Sequence, residues 1–154
     1  MLFRSRYGED IHLGLDCAAT EFFQDGTYVL KGENKQLSSL EMIDYLKDLI
    51  NKFQIISVED PLDENDWDSW AKITAECPNT QIVGDDIFVT QSKLLDRGIK
   101  ENAGNAILVK LNQVGSLSET MEAINLAQNN NFSTVISHRS GETEDSFISD
   151  LSVA

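Results

Sequence analysis

The sequence predicts an α/β fold built on a parallel sheet, and two observations carry the prediction. Five short runs rich in Ile and Val alternate with amphipathic stretches of helical spacing, the pattern of strand–helix units. The residues ending those runs also recur at near-constant steps: Asp85, Lys110 and His138 follow Glu59 at intervals of 26, 25 and 28 residues. That is the length of one strand with its crossover helix, so each tip returns to the same end of the sheet. Two architectures satisfy the pattern: an open doubly wound sheet, or part of an eight-stranded barrel.

Taken in order, the predicted strands are 10–16, 55–59, 81–85, 106–110 and 133–138. Their near-continuous Ile, Val and Leu content suits strands buried on both faces. The step from Asp16 to Glu59 is longer, at 43 residues, because residues 22–35 make an excursion. Asp25-Gly26 between apolar runs marks that excursion as a hairpin. The first helix opens with Ser38 and Glu41 spaced as a capping box. It keeps Met42, Ile43, Leu46, Leu49, Ile50 and Phe53 at helical spacing. A second helix carries Trp67, Trp70, Ile73 and Cys77 on one side, and Ser116 with Glu119 caps another. Shorter helices are expected at 91–100 and 144–153. Gly14, Gly84 and Gly141 stand where a small residue permits close approach.

Composition narrows the function. A net charge of −14 argues against a nucleic-acid backbone or an anionic membrane as partner. No apolar stretch approaches the ~20 residues that span a bilayer, and the start has no signal-peptide core. Cys17 and Cys77 lack metal-ligand spacing and read as reduced core residues of a cytoplasmic protein.

The chemistry lies at the strand ends. Side chains alternate along a strand, so each tip shares a face with the residue two before it. That pairs Gly14 with Asp16, Ser57 with Glu59, Val83 with Asp85, Leu108 with Lys110 and Ile136 with His138. The opposite face carries Ile11, Leu13, Leu15, Ile56, Val58, Ile107, Val109 and Val135, suited to packing under helices. Asp16, Glu59 and Asp85 are therefore three convergent carboxylates, the donor set of a hard cation such as Mg²⁺. Each acid taken singly also reads as a solvated loop residue. Lys110 follows Ile107-Leu108-Val109 directly and needs a partner. It reads equally as a structural ion pair or as a general base whose pKa a nearby cation lowers. In the following tip Arg139 offers a planar fork of donors and Ser140 a hydroxyl, suited with His138 to a phosphate or carboxylate.

Five stretches together resemble the enolase family, most closely its bacterial form: GLDCAATEFF, SVEDPLDENDWDSW, QIVGDDIFVT, ILVKLNQVGSLSET and VISHRSGETEDSFISDLSVA. They run in the family's order over residues 10–154. The resemblance implies a partial TIM-type barrel of about five strand–helix units. It implies a cytoplasmic, homo-oligomeric lyase interconverting 2-phosphoglycerate and phosphoenolpyruvate plus water. Enolase-superfamily sites pair a Lys or His base with Mg²⁺, so that chemistry comes with the resemblance. On it, Asp16, Glu59 and Asp85 hold Mg²⁺ and Lys110 removes the C2 proton. Arg139 and Ser140 contact the phosphate, with Lys110 and His138 lining the same substrate pocket.

The resemblance also sets expectations about extent. Residues 1–9 are unassigned, with MLFRSR a candidate spurious start, and 10–154 form an incomplete barrel domain. The family's other strands, its N-terminal domain and its general acid are expected outside the chain, which alone should turn over little substrate. Two other readings stand beside the enzyme. A non-catalytic fragment would share every residue above. A Mg²⁺-dependent receiver-like domain would carry its acid pair on the first strand, whereas Asp85-Asp86 falls on the third.

Overall fold

The computed structural model describes residues 5–141 and 143–154. Met1–Arg4 of the candidate spurious start and Glu142 of the SHRSGETED motif lie outside the described residues. Five parallel strands form the main sheet: β1 (Leu13–Asp16), β5 (Ile55–Glu59), β6 (Gln81–Gly84), β7 (Ala106–Val109) and β8 (Ser133–Ile136). Between β1 and β5 lies a separate antiparallel meander of β2 (Phe23–Gln24), β3 (Thr27–Leu30) and β4 (Lys35–Leu37). Asp25 and Gly26 both adopt positive φ, 49° and 80°, which makes the expected two-residue hairpin turn. The helices are α1 (Ser39–Phe53), α2 (Trp67–Glu76), α3 (Ser92–Glu101), α4 (Leu111–Val114), α5 (Leu117–Asn129) and α6 (Phe147–Leu151).

The strand order decides between the two architectures. Parallel strands follow one another across the sheet as β1-β5-β6-β7-β8, each added beside the last. A doubly wound sheet reverses direction at a switch point, and a receiver-like domain has that reversed order, so both alternatives are set aside. The arrangement is an arc of a barrel that is not closed. The main helices pack in sequence, α1 on α2, α2 on α3 and α3 on α5, over one side of the arc.

Local chemistry explains the helix boundaries. The Ser38 side chain accepts from the Glu41 N–H while Glu41 bonds back to the Ser38 N–H, completing the predicted box. Ser116 caps α5 through the Glu119 N–H at 3.3 Å. Asp66 caps α2 by accepting from the Ser69 N–H. The last helix is only the five residues Phe147–Leu151, without a side-chain cap, shorter than the expected 144–153. No helix of the described residues is long and apolar enough to cross a membrane.

The core lies between strands and helices. Val58, Ile82, Ile107 and Val109 meet Ile43, Leu46, Trp70, Ile73, Leu95 and Ile124 there. Its pivot is the fully buried Phe88, in edge or tilted contact with Trp67, Trp70 and Phe132. The inner side of the arc holds a smaller cluster of Val83, Ala106, Leu108 and Val135. Three expectations are corrected here. Val135 pairs with Leu108 and faces inward, while its neighbour Ile136 packs on the helix side, so the parity assigned to the last strand is reversed. Ile56 is 48% exposed: Leu13 pairs with Ile55 but Gly14 with Ser57, and the irregularity leaves Ile56 outside the ladder. Ile11 and Leu13 lie at the sheet edge, 53% and 43% exposed rather than under a helix.

The Phe88 ring is seated against glycine backbone. A Cβ on Gly84 would lie 2.5 Å from Phe88 Cδ2, and one on Gly98 would lie 2.7 Å from Phe88 Cζ and 3.2 Å from the Ala103 carbonyl. In an open helix Gly→Ala gains about 1 kcal/mol. Here overpacking, at about 1–3 kcal/mol, outweighs that gain. Gly98→Ala is therefore expected to lower the urea midpoint, and an unchanged or raised midpoint would show that Phe88 has room to move.

Candidate functional site

The rim at the C-terminal ends of the strands is held by backbone pairing that runs past the strands themselves. Cys17 N–H bonds the Glu59 carbonyl at 2.9 Å, Asp60 N–H the Val83 carbonyl at 3.0 Å, and Ser137 N–H the Val109 carbonyl at 2.9 Å. The predicted tips Asp16, Glu59, Asp85 and Lys110 consequently stand side by side on consecutive strands. Asp16 is exposed, Glu59 and Lys110 are half-buried, and Asp85 is buried.

Lys110 Nζ donates to Asp85 Oδ2, and the amine's side chain is only 15% exposed. Gln113 Nε2 donates to the other oxygen, Oδ1, at 2.9 Å. Glu59 has less support. Burial, then the charges of Asp16 and Asp85, push its carboxyl up to about 7, with Lys110 only partly offsetting them. Burial and the neighbouring charge of Asp85 likewise raise Asp86. The Cys17 thiol is pushed to about 12 by burial and by Asp16, Asp60 and Glu59, so it is no nucleophile. Cys17 and Cys77 are both free thiols.

The structure adds an acid that the sequence reading omitted. Asp60, Asp85 and Asp86 can each bring one oxygen within 4.8 Å of the others, a group able to hold a metal ion. Asp16 and Glu59 are not part of that tight group, and Asp85 is common to it and to the predicted trio. Asp60 also holds the neighbouring loop: its Oδ1 accepts the Asp85 N–H at 2.9 Å and its Oδ2 the Asp86 N–H at 3.0 Å. Burial still pushes its carboxyl up to about 7 against those two bonds. Asp60 is thus a brace that aims the loop carrying Asp85 and Asp86, and it sits at φ 42° to do so. The signal available in the sequence was the acid pair Glu59-Asp60 at the end of the strand.

The segment after β5 is anchored from the meander and from the turn that precedes it. The Asp63 N–H donates to the Tyr28 hydroxyl at 2.8 Å, and the Glu64 N–H donates to Thr20 Oγ1 at 3.0 Å. Tyr28 is fully buried against Phe22 and Phe23. The excursion at 22–35 therefore supports the rim rather than merely lengthening a connection.

His138, Arg139 and Ser140 follow β8 at the same end and are exposed. Arg139 and Ser140 line an open groove of about 800 Å³ with Leu111, Asn112, Gly141 and Thr143. The groove begins one residue past Lys110, yet the carboxylates of the rim do not line it. The carboxylates of the rim offer only oxygen donors, and Lys110 offsets their charge only in part. That donor set fits a hard divalent cation.

Residues 2–154 match the family model described as "Enolase, C-terminal TIM barrel domain". The chain belongs to that family.

The raised acids set a pH dependence. Glu59 and Asp60 ordinarily lose their protons near 4.5 and 3.8, but in the folded chain they hold them to about 7. The folded state then binds more protons than the unfolded one across that window, so stability falls as pH rises through it. The metal-free chain is expected to melt at lower temperature at pH 7 than at pH 5, with Asp60→Asn flattening the slope. A melting temperature that climbs over the same interval would refute the crowding.

Proposed function

We propose that this chain supplies the cation-and-base part of a Mg²⁺-dependent phosphopyruvate hydratase, a cytoplasmic, homo-oligomeric lyase interconverting 2-phosphoglycerate and phosphoenolpyruvate plus water. The observation that carries the reading is one amine, Lys110 Nζ, paired with Asp85 at a rim it shares with Asp16 and Glu59. Membership of the enolase barrel family supports it.

Asp16, Glu59 and Asp85 would hold the Mg²⁺, with Asp60 bracing the loop beneath. When bound, Mg²⁺ supplies positive charge that stabilises negative charge developing on the substrate carboxylate and lowers the proton affinity of the nearby amine. Lys110, as the neutral amine, takes the C2 proton onto Nζ. The C–H electron pair moves into the adjoining carboxylate, then returns to form the C2–C3 double bond as hydroxide leaves C3. The proton that accompanies the hydroxide is assigned to no residue of this chain. Arg139 and Ser140 hold the phosphate across the groove beside Lys110, with His138 at its margin. The interaction that matters most is the one that strengthens as the second carboxylate charge forms, which is what lowers a barrier. Turnover would need a closed barrel, of which the described residues form five parallel strands.

In the protein with its barrel complete, Lys110→Ala is expected to abolish hydrogen exchange at C2 of 2-phosphoglycerate, followed by proton NMR. Calorimetric Mg²⁺ binding should survive the same change. Exchange that persists removes Lys110 from the base role. Arg139→Ala should raise KM for the phosphorylated acid by roughly 10-fold or more, the scale of a charged hydrogen bond. An unaltered KM would put the phosphate elsewhere.

A further inference from the structure

We propose that Gln113 and Thr90 are positioning residues that fix which oxygen of Asp85 meets the Lys110 amine. This rests on the reading of Asp85 as a cation ligand and Lys110 as the base. The observation is a closed hydrogen-bonded ring. Gln113 Nε2 donates to Asp85 Oδ1 at 2.9 Å, and Thr90 Oγ1 donates to Gln113 Oε1 at 2.5 Å. Thr90 Oγ1 accepts from the Lys110 backbone N–H at 3.0 Å, and Lys110 Nζ closes the ring on Asp85 Oδ2.

Chemistry fixes the polarity of every link. An ionised carboxylate only accepts, so the amide nitrogen of Gln113 must face Asp85. The amide oxygen then faces Thr90, whose single hydroxyl proton must point to it. The Thr90 oxygen is left with lone pairs for the Lys110 N–H. The carbonyl of Leu108, 3.4 Å from Thr90 Oγ1, is the weaker alternative and would satisfy a hydroxyl that had only itself to serve. One carboxylate thereby sets both the amide orientation and the anchoring of the base's own backbone.

The backbone is strained to build this ring. Thr90 is fully buried at φ 57°, and Val89 before it stands at φ 42°. β-Branched residues in that region cost of order 1–3 kcal/mol each and persist only where their surroundings over-determine them. Gln113 sits on α4, the single turn that follows Lys110, so the base and the amide that orients its partner move as one piece. Outer partners of metal-binding groups typically cost 10–100-fold in affinity when removed.

The test uses the full 154-residue chain and Mg²⁺ alone as probe. Gln113→Met keeps length and removes the amide. Thr90→Val keeps the branched shape and its backbone strain but removes the hydroxyl, and Thr90→Ser restores the hydroxyl. Calorimetry is expected to show a Mg²⁺ Kd about 10–100-fold weaker in Gln113→Met. Amide exchange by NMR is expected to show Lys110 N–H exchanging at least ~10-fold faster in Thr90→Val, a lost hydrogen bond of about 1.4 kcal/mol, and returning to the parent rate in Thr90→Ser. Parent-like exchange at Lys110 in Thr90→Val together with a parent-like Kd in Gln113→Met overturns the proposal. If the unsubstituted chain takes up no Mg²⁺, the cation reading of the rim fails by itself. The ring is then decided by exchange alone, and parent-like exchange in both Gln113→Met and Thr90→Val rejects it.

Discussion

The rim is organised around a repulsion. Asp16, Glu59, Asp60, Asp85 and Asp86 crowd the ends of three adjacent strands, and burial together with that crowding holds the Glu59 and Asp60 carboxyls near 7. Charges of one sign gathered in a half-buried place destabilise the fold that gathers them. Three features offset this without neutralising it. The helix-facing side of the same strands is wholly apolar in Val58, Ile82, Ile107 and Val109. Backbone bonds continue beyond the strand ends, so the tips are not free to splay. Two backbone N–H groups converge on Asp60, where they serve as donors that carry no counter-charge.

Topology is what makes the repulsion local. Because each parallel strand is added beside the previous one, every strand–helix unit delivers its last residue to one rim. A doubly wound order would have concentrated ligand groups at a single crevice where the order reverses. The uniform winding instead spreads a row of tips along an arc, with charged residues at the rim and apolar packing below it on both sides of the strands. Phe88 links the two sides. It lies at the end of the loop that begins with Asp85, its N–H bonded to the Asp85 carbonyl at 3.1 Å, and its ring is clamped between α2, α3 and Gly84. The position of the carboxylate is thereby tied to the densest part of the core.

Most of the fold was legible because it rests on local, periodic signals. Ile/Val runs located all five parallel strands, Asp25-Gly26 located the hairpin, and Ser38 with Glu41 located a helix start that formed as read. The tips Asp16, Glu59, Asp85 and Lys110 were legible because alternation and even spacing are properties of one chain segment at a time. What was not legible depends on segments meeting. The pairing shift that ejects Ile56 needs the neighbouring strand, and the reversed parity of Val135 and Ile136 is defined only against Leu108 and Val109. Asp60 was passed over because the reading stopped at the last strand residue. Its role appears only when the next strand's loop folds over it. Gln113 and Thr90 were missed for the same reason: an amide in a short helix and a threonine in a loop carry no signal until both face Asp85.

The site is also uneven in a way that bears on how it would bind. The carboxylate and amine side is pre-set, with Asp60 bonded twice, Asp85 bonded on both oxygens, and Thr90 and Val89 held in strained conformations. The His138–Ser140 side is exposed, and Arg139 and Ser140 line an open groove. Ordering a side chain on binding costs about 0.5–1.5 kcal/mol, a cost already met at the braced rim. A ligand engaging both sides would spend little to meet the proposed base and cation ligands at the rim. That division suits chemistry in which a remote charged group supplies the binding energy and the reacting centre needs fixed geometry. It follows from placing one half of the site on braced strand ends and the other on the loop beyond β8.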